Sequence, residues 1–168
     1  QNINVGVAIT AGKLGIGFTD ANVKVGNTAL DSLTTGNYNT AVGHQSLTAN
    51  TTGTNNTAVG NESLDANTTG QNNVAIGAAS LGVNSGGSSN TAVGTQSLDA
   101  NTTASYNTAI GKGALTSNST ASFNTAVGND ALRDVTTNTN NVAMGVNAAL
   151  TAVGSQNVAI GNNTFRGT

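Results

Sequence analysis

The sequence predicts an all-β fold, a parallel β-solenoid with 17 residues per coil. Three observations predict it: an asparagine returns every 17 residues, a glycine follows four residues after each of the first eight asparagines, and leucine fills another column of the repeat. A short, fixed period means that each unit stacks on its neighbours instead of joining one globular core. The repeating asparagines are Asn22, Asn39, Asn56, Asn73, Asn90, Asn107, Asn124 and Asn141, with Asn157 after a spacing of 16.

The repeat divides the 168-residue chain into two parts. Residues 1–21 form a non-repeating lead-in, in which the alternation of Val5–Ile9 and Leu14–Phe18 suggests short strands. Residues 22–168 form the repeat domain, with coils beginning at residues 22, 39, 56, 73, 90, 107, 124 and 141 and a partial coil at 157. The chain begins with Gln1 and shows no signal sequence, so we expect a segment of a longer protein.

Composition narrows the function classes. Only 7% of residues are charged and the five lysines and arginines are scattered, so no basic stripe is present and we expect no nucleic-acid partner. No run of about 20 apolar residues occurs, so we expect no membrane insertion by this segment. The chain has no cysteine, which fits an extracellular protein that does not use disulfides.

We number each coil from its asparagine as position 1. Positions 1–5 and about 7–10 are predicted to be extended, and alternate residues of an extended segment face opposite sides. Positions 2 and 4 are mostly β-branched and position 9 is leucine, so positions 4 and 9 are predicted to fill the solenoid interior. These predicted interior residues are Val42, Val59, Ile76, Val93, Ile110, Val127, Leu47, Leu64, Leu81, Leu98, Leu115 and Leu132.

The opposite face of the first segment carries alanine at position 3 and glycine at position 5. Such small residues allow another backbone to approach closely, so this face is predicted to pack between chains. The predicted interchain residues are Ala41, Ala58, Ala75, Ala92, Ala109, Ala126 and Ala143. A coil with about one Val or Ile and one Leu inside gains only about 1.5–3 kcal/mol from each. Ordering costs about 1–2 kcal/mol per residue, so further burial in a closed oligomer is expected.

Glycine and asparagine also mark the turns. Position 15 is glycine at Gly36, Gly53, Gly70 and Gly87, which predicts a left-handed turn residue there, although Ala104 and Ala121 interrupt the pattern. The asparagines at position 1 and at position 12 fit two hypotheses equally: ladders of hydrogen bonds between coils, or simple turn formation. The position-12 column is Asn50, Asn67, Asn84, Asn101 and Asn118, and Leu33 and Val135 replace it in atypical coils near the ends.

No catalytic constellation is evident. His44 is the single histidine. Glu62 and Asp65 lie close to each other in the sequence, but the pair does not repeat and has no supporting polar partners. We therefore expect no enzyme activity, no catalytic residues, no metal site and no cofactor.

Three aromatic residues share position 17: Tyr38, Tyr106 and Phe123. Tyr106 and Phe123 belong to neighbouring coils and are predicted to stack. Exposed aromatic rings can hold a sugar ring, so these three residues are candidate glycan contacts. The competing hypothesis is that they cover a turn or fill an interchain groove.

Threonine fills much of position 14, which favours a second class of function, an ice-binding β-solenoid. Such a surface needs two ranks of threonine on one face. Position 16 is too irregular to supply the second rank, and position 2, although rich in threonine, is expected to face inward.

The Asn-Thr/Val-Ala-Val/Ile-Gly motif resembles the repeat of YadA-like heads of trimeric autotransporter adhesins. The longer unit, as in NTAVGHQSLTANTTGTN from residue 39, is similar to repeats of bacterial and phage tail-fibre-domain proteins. The resemblance covers about residues 22–168 and implies a left-handed β-roll in a three-chain fibre. The coil here is longer than the usual adhesin-head coil, so its turns must be larger.

The resemblance implies a structural fibre or adhesin segment that gives reach and contacts a surface or host receptor. It further implies an extracellular location, on a cell surface or a virion tail fibre, and a homotrimer that meets a glycan or protein receptor. A third hypothesis is a subunit of an end-to-end extracellular filament, because the open ends of a solenoid are unpaired strand edges.

Overall fold

A computed structural model describes residues 22–151 and 154–165, and it is a β-solenoid whose nine strands form one parallel sheet in sequence order. The lead-in of residues 1–21 and its two predicted strands lie outside the described residues. The strands are β1 (Val23–Val25), β2 (Thr40–Val42), β3 (Thr57–Val59), β4 (Val74–Ile76), β5 (Thr91–Val93), β6 (Thr108–Ile110), β7 (Thr125–Val127), β8 (Val142–Met144) and β9 (Val158–Ile160).

Each strand occupies positions 2–4 of its coil and pairs in register with the same positions of the next coil. Ala58, for example, lies between Ala41 and Ala75. The backbone bonds recur at each step: Thr40 N–H donates to the Asn56 carbonyl at 2.8 Å, and Gly60 N–H donates to the Val42 carbonyl at 2.8 Å. The predicted fold class, an all-β parallel solenoid with coils of about 17 residues, is therefore confirmed.

The second extended segment that we predicted at positions 7–10 is instead a run of turns. Positions 7 and 9 are left-handed, as Gln45 (φ 56°) and Leu47 (φ 52°) show for the second coil. The alternation prevents strand geometry there, yet the backbone still bonds along the solenoid, because Leu47 N–H donates to the Ser63 carbonyl at 3.0 Å. Position 17 is also left-handed, as at Asn55 (φ 57°).

Position 15 is not among the left-handed positions of the described residues, so that part of the turn prediction was wrong. In coils 1–6 the position-15 residue is buried, and its carbonyl accepts side-chain hydrogen bonds instead. In the second coil the Gly53 carbonyl accepts the Asn39 Nδ2–H at 2.9 Å and the Asn50 Nδ2–H at 3.1 Å.

The interior is lined by the face that we predicted to be exterior. The position-3 alanines are completely buried within the single chain, whereas the position-4 residues point outward. The prediction of interchain packing by position 3 was therefore wrong for Ala41, Ala58, Ala75, Ala92, Ala109, Ala126 and Ala143. The prediction of an interior place was wrong for Val42, Val59, Ile76, Val93, Ile110 and Val127, which are half-buried or exposed.

The leucines predicted to fill the interior do so: Leu47, Leu64, Leu81, Leu98, Leu115 and Leu132 have no exposed surface. They and the alanines belong to one continuous apolar cluster. The alanine of each internal coil shares the interior with a buried leucine and buried asparagines, which favours a small side chain on the strand. The sequence signal of the interior is a side chain of constant volume and not β-branching. Position 3 is alanine in all of coils 2–9, whereas the outward position 4 varies among Val, Ile and Met.

The asparagines form two buried ladders, which decides between our two hypotheses. In the position-1 column, Asn39 Oδ1 accepts the Asn56 N–H at 3.0 Å, and Asn56 Oδ1 accepts the Asn73 N–H at 3.0 Å. In the position-12 column, Asn67 Nδ2–H donates to Asn50 Oδ1 at 2.8 Å. These bonds satisfy polar groups that would otherwise be buried at a cost.

The glycine at position 5 is required by the stacking of coils. In coils 1–8 its φ lies between 132° and 141°, a region that other residues rarely adopt. A Cβ built on Gly60 would also collide with the Gly77 carbonyl of the next coil.

Candidate self-association surface

The outward face of the sheet is the most regular apolar surface among the described residues. It consists of positions 2 and 4 of all nine strands, and we call it the Thr/Val face. Its position-2 residues are Val23, Thr40, Thr57, Val74, Thr91, Thr108, Thr125, Val142 and Val158. Its position-4 residues are Val25, Val42, Val59, Ile76, Val93, Ile110, Val127, Met144 and Ile160.

None of these side chains is charged, and position 4 exposes substantial apolar surface. Ile76 is 40% exposed, Ile110 41% and Met144 44%. With strands about 4.8 Å apart, nine strands give a strip roughly 38 Å long that repeats the same two side-chain columns. A contiguous apolar strip that is exposed to solvent is typical of a site of contact with another molecule.

The position-17 aromatics are exposed, as a ligand contact requires. Tyr106 and Phe123 stack with ring centroids 5.1 Å apart and planes within 5°, so the predicted stack is confirmed. Because each ring covers one face of the other, a sugar could not lie between the two rings. Tyr38 is 65% exposed and stands apart from this pair, with Asn55, Asn72 and Ser89 in the intervening coils.

The threonines at positions 13 and 14 have different roles. Those at position 13 form hydrogen bonds to the backbone of the next coil: Thr51 Oγ1–H donates to the Thr68 carbonyl at 3.0 Å. Those at position 14, such as Thr52 and Thr69, are exposed. Position 2 turns outward and not inward, which corrects our expectation and places five threonines in a rank beside the apolar rank of position 4.

The ionisable side chains of the described residues are exposed or partly exposed. His44 Nδ1 lies 3.2 Å from Asn61 Oδ1 on the exposed side of neighbouring coils. Burial raises the pKa of Asp65, although a hydrogen bond from Thr48 opposes the shift. Within residues 22–151 and 154–165, no three His, Asp or Glu side chains come together in a way that could hold a metal ion.

No helix in the described part of the chain has the length and apolarity needed to cross a membrane. Comparison of the chain with protein-family models, with curated proteins and with solved structures finds no match.

Proposed function

We propose that this chain is a non-catalytic structural segment of an extracellular fibre or adhesin, whose copies pack together through the Thr/Val face. The observation that carries the proposal is the charge-free strip of positions 2 and 4, which continues without interruption from β1 to β9. Apolar side chains that stay about 40% exposed in one chain, as Ile76 and Ile110 do, gain about 25 cal/mol for each Å² that a partner covers.

A second copy of the chain is the occupant that suits this face best. Its columns repeat with the same strand spacing of about 4.8 Å, so the ridges of one copy fit between those of the other along the whole strip. Three copies follow from the resemblance to trimeric adhesin heads, and a closed ring leaves no Thr/Val face uncovered. The role of such a fibre is reach, with exposed groups such as Tyr38 presented to a glycan or protein receptor.

The test measures mass in solution by light scattering together with sedimentation. We expect an elongated species of three times the 16.4 kDa chain mass. Replacing Ile76 and Val93 with Lys puts two charges on the Thr/Val face and should yield monomers that keep the β-sheet circular dichroism of the parent. Replacing Thr69 and Thr103 with Lys, on the exposed position-14 column, is the matched control and should leave the mass unchanged.

A monomeric parent chain would overturn the proposal, as would a trimer that survives the Ile76→Lys and Val93→Lys changes. A monomeric parent would favour a second function, ice binding, for one specific reason. Thr40, Thr57, Thr91, Thr108 and Thr125 form an outward rank on a regular sheet beside the rank of position 4. Thermal hysteresis of the parent chain that is lost in the Thr91→Lys variant would establish that function.

A further inference from the structure

One coil interrupts the turn surface of the solenoid with small side chains. Residues 85–89, positions 13–17 of coil 4, read Ser-Gly-Gly-Ser-Ser, whereas the same positions read Thr-Thr-Gly-Gln-Asn in coil 3 and Thr-Thr-Ala-Ser-Tyr in coil 5. Position 17 is Asn72 in coil 3 and Tyr106 in coil 5, and both side chains are exposed. The small residues between them form a gap that we call the Ser89 notch, with residues 85–89 as its floor and Asn72 and Tyr106 as its walls.

The fold does not require the exposed glycine of this notch. Position 14 is threonine in every other coil from 1 to 7, and Gly86 is not among the positive-φ residues. A Cβ built on Gly86 would meet one heavy atom of the described residues within 4 Å, Thr69 Oγ1 at 3.5 Å, which is an ordinary contact. Gly87 differs, because a Cβ there would collide with the Ala104 carbonyl. A glycine that neither φ nor space demands leaves the surface open to close approach by a ligand.

Tyr106 turns an aromatic face toward the notch. Phe123 of the next coil stacks on its ring in nearly parallel planes, so the opposite face of the ring looks toward coil 4. Tyr106 is still 59% exposed although Phe123 covers one face, and Tyr38, which is not in the stack, is 65% exposed. Solvent therefore reaches the ring surface that forms this wall.

The notch has the width of one ring. Coils are about 4.8 Å apart, so Asn72 and Tyr106, two coils apart, are separated by about 9.6 Å. The 5.1 Å between the rings of Tyr106 and Phe123 shows that one coil step suits two stacked rings. A six-membered ring seated over Ser89 stacks on Tyr106 and meets the Asn72 side chain with its other face. The Phe123 end of the stack is instead followed by Asn140, a larger side chain at position 17.

The floor of the notch is fixed by the backbone and supplies polar groups. Ser89 N–H donates to the Gln71 carbonyl at 2.9 Å, and Tyr106 N–H donates to the Ser88 carbonyl at 3.1 Å. Ser88 Oγ accepts the Gln71 N–H at 3.0 Å, so its own hydrogen can donate to a ligand. The exposed amide of Asn72 offers both a donor and an acceptor. An aromatic wall with a few hydroxyl and amide groups is typical of a small-molecule site.

The surface around the notch carries no charge. Positions 12–17 of coils 1–7 contain no Asp, Glu, Lys, Arg or His. The charged side chains of these coils lie at positions 6–11, with Lys24 at position 3 as the exception. A charged ligand would find no counter-ion here. A neutral sugar suits the site, because the C–H face of a pyranose packs on an aromatic ring while its hydroxyl groups form hydrogen bonds.

We propose that the Ser89 notch binds one pyranose ring of a neutral glycan, with a face of the sugar on Tyr106 and its hydroxyl groups on Ser88 and Asn72. This inference rests on the proposed function, because it names the receptor contact that such a fibre presents. It does not use the Thr/Val face, so each chain carries a complete site.

Filling the notch tests the site. Ser89→Tyr completes a stack of three rings, and the fold accepts tyrosine because Tyr38 and Tyr106 already occupy position 17 with φ of 61°. If exposed aromatic rings attracted sugars in general, a third ring would strengthen binding, whereas the notch requires the reverse. Tyr106→Ser removes the aromatic wall. Asn55→Tyr is the matched control, since it adds the same ring at position 17 of another coil and leaves the notch open.

Isothermal titration calorimetry measures binding of the neutral hexasaccharides cellohexaose, maltohexaose, mannohexaose and chitohexaose, with hexagalacturonate as the charged probe. We expect at least one neutral hexasaccharide to bind the parent and the Asn55→Tyr chain equally. It should bind the Ser89→Tyr and Tyr106→Ser chains about tenfold more weakly, and hexagalacturonate should bind the parent more weakly than it does. Failure of every neutral probe to bind would overturn the proposal, as would unchanged or stronger binding to Ser89→Tyr.

The chain with Ile76→Lys and Val93→Lys separates this site from the fibre proposal. It should bind the same hexasaccharide with the affinity of the parent, because the notch lies within one chain. Loss of binding in that chain would overturn the one-chain site. A parent that binds the sugar but has the mass of a monomer would instead contradict the lateral packing and support the notch.

Discussion

At the scale of single residues, the asparagine ladders show how a polar interior is satisfied. A buried side-chain amide can bond both to a neighbouring coil and to a position-15 carbonyl of its own coil: Asn90 Nδ2–H donates to Asn73 Oδ1 at 3.3 Å and to the Ala104 carbonyl at 2.8 Å. The position-12 ladder stops where Val135 replaces asparagine. The preceding member, Asn118, consequently has a buried Oδ1 atom with no hydrogen-bond donor.

Replacing Val135 with Asn supplies the missing donor, because its Nδ2–H can donate to Asn118 Oδ1 and to the position-15 carbonyl of Asn138. Its own Oδ1 then ends the ladder, since position 12 of the next coil is alanine, so we expect a free energy of unfolding close to that of the parent and about 1 kcal/mol above that of Val135→Ala. Urea denaturation measures the free energy of unfolding of each variant. Val135→Ala, which supplies no donor, is the control and should be destabilised; an Asn variant no more stable than the Ala variant would contradict the explanation.

Partial burial of Asp99 predicts that the free energy of unfolding depends on pH. The pKa of Asp99 is raised by burial, so the folded chain binds the proton more tightly than the unfolded chain does. Stability should rise as the pH falls through the raised folded pKa and level off below about 3.8, the value of the unfolded chain. The Asp99→Asn variant should exceed the parent in melting temperature at about pH 7 but not at about pH 3. A constant difference across that range would show that ionisation of Asp99 is not the cause.

At the scale of the strand, each three-residue element from β2 to β9 places one methyl group inside and two larger side chains outside. The interior column is closed to solvent at alanine, as the complete burial of Ala58, Ala75 and Ala92 shows. The outward column tolerates Val, Ile and Met without any change in register. Adjacent residues of one strand should consequently respond to substitution in opposite ways.

Ala75→Leu should destabilise the coil by about 1–3 kcal/mol or more, because three added carbons have no room inside. Ile76→Leu, on the next residue, should change stability by no more than about 0.5 kcal/mol. Thermal unfolding followed by circular dichroism compares the two variants in the same buffer. An Ala75→Leu chain as stable as the parent would mean that the alanine column is not part of the interior.

At the scale of the whole molecule, each coil contacts only its neighbours, so stability is close to a sum of coil and junction terms. The chain should therefore tolerate removal of a complete coil. Deleting residues 73–89 joins Asn72 to Asn90 and keeps every column continuous. We expect the shortened chain to fold with the parent's β-sheet spectrum and a somewhat lower melting temperature.

A matched deletion provides the control. Removing residues 73–80 instead shifts the following columns and brings Leu81 to the place of the position-1 asparagine. That chain should fail to fold past the junction, which protease digestion and circular dichroism would detect. Equal folding of the two shortened chains would show that column register does not control the fold.

The sequence by itself determined the solenoid, its period and its leucine interior, because a repeat of this length has few ways to satisfy its backbone except by stacking. It also placed Tyr106 beside Phe123, since column position follows from counting. Which face of the strand turns inward was decided only by the tertiary structure. The face that turns inward depends on how the turns of the coil fold back. Those turns contain left-handed residues such as Gln45 and Leu47, and neither residue type predicts a positive φ. The alanines pack in the interior, and Val and Ile lie outside. These outward residues form the surface on which the proposed function rests.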